Sequence, residues 1–119
     1  MGGIGPVVVR SGEWAHRPVA VAATWRTRRT GLAPLPLGWG LLMGGCSVHG
    51  RGMCTALTVV GVDAAGVVIG AAVLRPGGLV RMAGAAAILE LPVSMAFPDP
   101  GAVLAWAPLP AHPIAWPDS

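Results

Sequence analysis

The chain has 119 residues, 54% of them hydrophobic and only 11% charged, which by size makes one domain able to bury about two-thirds of its unfolded surface around a single core. Eight basic residues against five acidic ones give a formal charge of +3, too thin for a nucleic-acid binder, which carries a denser basic face; so apolar a surface points instead to a partner. Every basic residue is Arg, and Lys, Asn, Gln and Tyr are absent, a bias expected of a GC-rich genome; without Asn, Gly must take nearly all left-handed turn positions.

The 18 Gly and 12 Pro are spread along the length and interrupt the apolar runs, which favours short strands and turns over long helices. Met1 to Arg10 has no basic leader and only a short apolar stretch, so it does not read as a secretory signal, and Pro6 stands where a myristoylation motif wants Ser or Thr. Val7–Arg10 and Val19–Ala23 are β-favouring runs separated by Ser11-Gly12-Glu13, with Pro18 at the head of the second, and they are expected to pair. Thr24 to Gly31 offers a capping Thr, no Pro and a terminating Gly, and predicts a helix of one or two turns over Thr24–Thr30. Leu32 to Gly40, built on Pro34-Leu35-Pro36, reads as a stiff connector. The uncharged run from Thr30 to Gly50 is long, but Pro34, Pro36 and repeated Gly make it a poor spanning helix. The expectation is a cytoplasmic protein with no transmembrane segment and with Cys46 and Cys54 as reduced thiols.

Gly40-Leu41-Leu42-Met43 starts the next strand. Leu57–Val62 and Val67–Val73 flank Asp63-Ala64-Ala65-Gly66, the chemistry of a type I turn closed by a glycine bulge, and predict a hairpin. Arg75-Pro76-Gly77-Gly78 makes a turn, Leu79–Met82 and Ala87–Leu91 two more strands, and Val103–Trp106 a last one. So many strands with short connections indicate a mostly β chain: a small antiparallel barrel or sandwich-like single domain over residues 1–107, with one short helix, followed by a Pro-rich tail over 108–119.

From Trp25 to Leu104 the pieces Arg29-Thr30-Gly31-Leu32, Gly40-Leu41-Leu42, Cys46-Ser47-Val48-His49, Gly52-Met53, Val59-Val60, Val62-Asp63, Gly66-Val67-Val68, Leu74-Arg75-Pro76-Gly77 and Ile88-Leu89-Glu90-Leu91-Pro92 follow in an order that resembles the bacterial and archaeal family called domain of unknown function 192. The resemblance implies a compact, mostly β barrel-like fold and, in many members, an exported location. The chain departs from the family pattern at Gly50 and Arg51, where a Thr and an aromatic are usual, at Ala56 and Thr58 in place of Pro and Asp, at Gly61 in place of an aromatic, at Val93-Ser94, and at Gly101-Ala102. Thr58 thereby removes the acid the resemblance would place near His49.

Cys46, His49 and Cys54, with Met53 adjacent, have the chemistry of soft-metal ligands, but a structural zinc site wants four regular ligands, and buried cysteines beside an ordinary His are the plainer reading. No metal and no cofactor are therefore expected. A thiolate of Cys46 or Cys54 paired with His49 is the one nucleophilic arrangement on offer; with Thr58 in place of an acid nothing obvious orients the imidazole, and Glu90 is the acid that could approach in the fold. Asp63 is explained as a turn residue. Glu90 lies between Leu89 and Leu91, so it either meets solvent or forms an ion pair with an Arg such as Arg51 or Arg81. Trp25-Arg26-Thr27-Arg28-Arg29 has the residues for single-stranded nucleic acid, but at this net charge a solvated face is the plainer account. The sequence favours a non-catalytic binding or accessory module whose protein or small-molecule partner docks at the loop carrying Cys46, His49, Arg51, Met53 and Cys54. The alternative is a metal-dependent or thiol enzyme using Cys46, His49 and Cys54.

Overall fold

The computed structural model describes residues 6–22, 38–51 and 53–109, and these hold nine strands and no helix. Strands β1 (Val7–Ser11) and β2 (Trp14–Ala22) form an antiparallel hairpin around Gly12, whose φ of 58° is left-handed. The second strand begins at Trp14, ahead of Pro18. Its register slips between the pairs Val9–His16 and Val7–Val19, which leaves Pro18 in a bulge, where a residue with no N–H to donate is tolerated.

β3 (Gly40–Gly44) lies parallel to β2, with Val19 opposite Gly40 and Ala22 opposite Met43. This corrects the expectation of a wholly antiparallel sheet. A parallel pair needs a crossover of roughly a dozen residues or more, and the stretch 23–39 is long enough to supply it. The helix expected over Thr24–Thr30 and most of the connector from Leu32 to Gly40 lie outside the described residues.

β4 (Ser47–His49), β5 (Leu57–Val62), β6 (Val68–Leu74), β7 (Leu79–Arg81), β8 (Ala87–Pro92) and β9 (Ala105–Pro108) follow. Seven strands make one sheet in the order β6-β5-β8-β3-β2-β1-β9, and β4 pairs with β7 in a separate two-stranded ribbon. The β5–β6 hairpin is built as its turn chemistry predicts. Asp63 Oδ1 accepts from the N–H of Ala65 and of Val67, both at 2.9 Å, and Gly66 takes a φ of 87°.

The sheet is mostly β as expected but does not close into a barrel. Among the described residues its two ends are joined near the Val67–Val103 bridge, with Val68 N–H bonding the Ala102 carbonyl, Gly101 N–H the Val68 carbonyl and Leu104 N–H the Gly66 carbonyl. Pro98, Pro100 and a left-handed Gly101 break the chain before β9, so no long ladder forms across the seam. Beyond the bridge no described strand pairs with the outer edge of β6, and Ile69, Ala71 and Val73 are exposed along it. β9 runs through Pro108, and Leu109 N–H reaches the Pro6 carbonyl, so the sheet extends just past the expected end at 107; residues 110–119 of the tail lie outside the described residues.

Alternation along the strands gives the sheet two buried faces. One carries Val7, Val9, Val19, Leu42, Val60, Val62, Val68, Leu89, Leu91 and Leu104. The other carries Ala20, Ala22, Trp39, Leu41, Met43, Val59, Leu74 and Ile88, and here Val48 of β4, Val80 of β7, Met53 and Met82 pack on top. The ribbon is thus a lid on the second face, and this explains why β5 is buried at all six positions, Thr58 included.

Candidate functional site

The ribbon's placement follows from short-range geometry at its two ends. At one end Met82 N–H donates to the Cys46 carbonyl at 2.7 Å, and Met82 lies over Gly61 so closely that any side chain there would collide with its sulfur. The position where the family resemblance expects an aromatic is filled instead by a methionine from across the fold. At the other end Gly50 is buried, its N–H bonds the Gly78 carbonyl at 2.8 Å, and its own carbonyl accepts from Gly77 at 2.9 Å and Met53 at 3.1 Å. A Cβ on Gly50 would run into the Arg75 carbonyl. Glycine at 50, where the resemblance expects threonine, is therefore what lets the turn Arg75-Pro76-Gly77-Gly78 dock onto the end of β4.

Within the ribbon Ser47 faces Arg81, Val48 faces Val80 and His49 faces Leu79. Val48 and Val80 point down to the sheet, while Ser47, His49, Leu79 and Arg81 stand exposed on the outer side. Leu79 is 70% exposed, the most open large apolar side chain among the described residues. Arg51 and Arg75 are exposed at the Gly50 end. Of the described arginines, Arg51, Arg75 and Arg81 are thus exposed on or beside the ribbon, whose strands and flanking turns carry no acid, and none of the three forms an ion pair with a described residue.

The residues singled out in the sequence divide between this face and the interior. Cys46 and Cys54 are exposed, free thiols. His49 Nδ1 accepts a bond from the Arg51 N–H at 3.3 Å, which leaves Nε2 as the ring nitrogen turned outward. Met53 is partly buried and packs under the ribbon, so it anchors the loop and does not line it. Among the described residues no three side chains of the types His, Cys, Asp and Glu come together in a way that would hold a metal ion.

Glu90 is 2% exposed. It sits opposite Leu41 on one side and Val59 on the other, on the face the ribbon covers. No described residue bonds its carboxyl, so neither solvent nor the expected Arg51 or Arg81 meets it; both arginines belong to the exposed ribbon. Burial pushes its pKa from 4.5 up to about 7, because the charged form loses its hydration. Thr58 is buried too, but it pairs across to Leu91 and so projects to the face away from the ribbon. An acid at position 58 would not face His49.

Two features of this surface are invisible in the sequence: the partnership of Arg75, Leu79 and Arg81 with His49 and Arg51, and the Gly50 latch. Only the β4–β7 register brings these segments together. The one local signal was the Arg-Pro-Gly-Gly turn, read correctly as a turn but with no indication of what it docks against.

No family model and no curated protein matches this chain. Its fold is shared with a crystal structure, at 1.22 Å resolution, of a protein of unknown function from Novosphingobium aromaticivorans DSM 12444. The two superpose with a TM-score of 0.70 over 85% of this chain and 84% of that one, at 22% identity. The class defined here is thus a mostly β domain made of an open sheet with a ribbon packed on it. Among the described residues no helix is long and apolar enough to cross a membrane.

Proposed function

We propose that this chain is a non-catalytic binding or accessory module, and that its partner docks on the outer side of the β4–β7 ribbon and the adjoining loop from Cys46 to Cys54. The observation that carries the reading is the contrast between a firmly seated ribbon with an exposed, charge-unbalanced face and the dispersal of every chemically competent group. Among the described residues the one acid with a perturbed pKa, Glu90, is buried on the face the ribbon covers, while the thiols and His49 are exposed. Membership of domain of unknown function 192 belongs to the same proposal. It is supported by the order of the motifs, and it accounts for the turn residues Asp63, Gly66 and Gly77 that shape the fold. A cytoplasmic setting is in keeping with two free, exposed thiols.

The test is site-specific photo-crosslinking in the native host, with the crosslinker at Leu79 or, as a control, at Glu13 in the β1–β2 turn. A discrete adduct formed from Leu79, absent from Glu13, and abolished by Arg51→Glu with Arg81→Glu is the expected result. Adducts from both positions, or from neither, would overturn the reading.

A further inference from the structure

The ribbon's outer face has a chemistry that selects among partners, and we infer that its occupant is an acidic, extended protein segment with an apolar residue between its acids. This rests on the docking reading above and deepens it. Arg81 stands at one end of the face, Leu79 with the His49 ring in the middle, and Arg51 with Arg75 at the other end. Arg81 lies opposite Ser47, so Gly50 is three residues further along, roughly 10 Å at the strand rise, and Arg51 one residue beyond brings the span to roughly 13 Å. An extended segment of the pattern acid-x-apolar-x-acid spans the same length. It sets one carboxylate at Arg81, the other between Arg51 and Arg75, and its apolar side chain on Leu79.

Charge complementarity decides the sign of the partner. The guanidinium groups of Arg51, Arg75 and Arg81 have no carboxylate on the ribbon and no ion pair with any described residue, so a docked acid meets groups that are uncompensated. The exposed leucine decides between macromolecules. A phosphate backbone wants a continuous basic stripe with aromatic faces for the bases, whereas here the exposed Leu79 lies among the arginines and the ribbon strands carry no Phe, Tyr or Trp. Arginine also matches carboxylate geometry with its two-pronged donors.

The probe is a fluorescein-labelled peptide with the core Glu-Val-Leu-Val-Glu, titrated by fluorescence anisotropy against the full chain. Comparison probes are the same peptide with both Glu changed to Gln, an oligouridylate, and phosphatidylserine-containing vesicles. The acidic peptide should bind, and its affinity should fall as salt rises from about 0.02 M to about 0.2 M, since exposed pairs are screened. Single Arg51→Ala, Arg75→Ala or Arg81→Ala changes should each weaken it about two- to fivefold, as expected of exposed ion pairs. The triple change should weaken it at least tenfold by the same reasoning, and Arg10→Ala with Arg17→Ala should leave it unchanged. Equal binding of the Gln peptide, tighter binding of the oligouridylate or the vesicles, or indifference to the triple change would overturn the inference. If the Leu79 crosslink forms while the acidic peptide fails to bind, the docking surface stands and the acidic occupant falls; if both fail, the docking reading falls with it.

Discussion

Replacing Glu90 by Gln should flatten the dependence of stability on pH. In the folded protein Glu90 holds its proton up to about pH 7, against an ordinary value of 4.5. Between those two values the unfolded chain has released the proton and the folded chain has not, so the unfolded state binds fewer protons and stability falls as pH rises. The contribution is complete below about pH 4.5 and is lost by the time pH passes about 7. At roughly 1.4 kcal/mol for each tenfold change in affinity, a rise from 4.5 to about 7 amounts to about 3 kcal/mol. For a domain whose whole stability is about 5–15 kcal/mol this is a large share, and it corresponds to a fall in melting temperature of roughly 10 °C. Gln has the same shape and cannot ionise. All other titrating groups are common to both proteins, so the difference between their melting curves from pH 5 to pH 8 isolates position 90. The wild type should lose ground steadily against Glu90→Gln over that range. Parallel curves, or a wild type that gains on the variant as pH rises, would refute the claim that burial holds the proton on Glu90.

Three further outcomes follow from the packing. Gly50→Ala puts a methyl group into the Arg75 carbonyl and should cost about 1–3 kcal/mol in urea unfolding, with proteolysis in the 75–78 turn appearing first. Asp63→Ala removes the acceptor for two backbone N–H groups and should cost about 1–2 kcal/mol, whereas Asp63→Asn keeps the oxygen and should cost less. Leu89→Ala opens a cavity at a fully buried position between the sheet's strands and should cost about 2–5 kcal/mol; a smaller loss by calorimetry would mean that this face is not close-packed.

Much of the fold was legible because its local chemistry is explicit. Asp63 and Gly66 specify their turn, Gly77 the next one, and the β-branched runs on either side specify β5 and β6. What was not legible arises from contacts distant in sequence. The parallel β2–β3 pair depends on a crossover, and the open seam depends on where Pro98, Pro100 and Gly101 leave the chain relative to β6. Alternation placed Glu90 opposite in direction to Leu89 and Leu91, which is correct, but alternation cannot say whether the other face meets water. A separate two-stranded element lies over that face, and nothing in residues 87–92 encodes it. The same holds for the candidate site. His49, Arg51 and their neighbours were visible as a cluster, while Leu79 and Arg81 enter from a strand about thirty positions away in the chain, through the pairing of Ser47 with Arg81 and His49 with Leu79.

The outer edge of β6 carries a liability of its own. From Val68 to Leu74 the strand has no charge and no proline, the two devices by which edge strands usually discourage pairing with another molecule. Its outer backbone groups and exposed Ile69 and Val73 can template a second β6. Electrostatic repulsion between net-positive molecules is then the main obstacle to that encounter. Colloidal behaviour is thereby tied to ionic strength: salt that quiets the arginines also lets the edges approach.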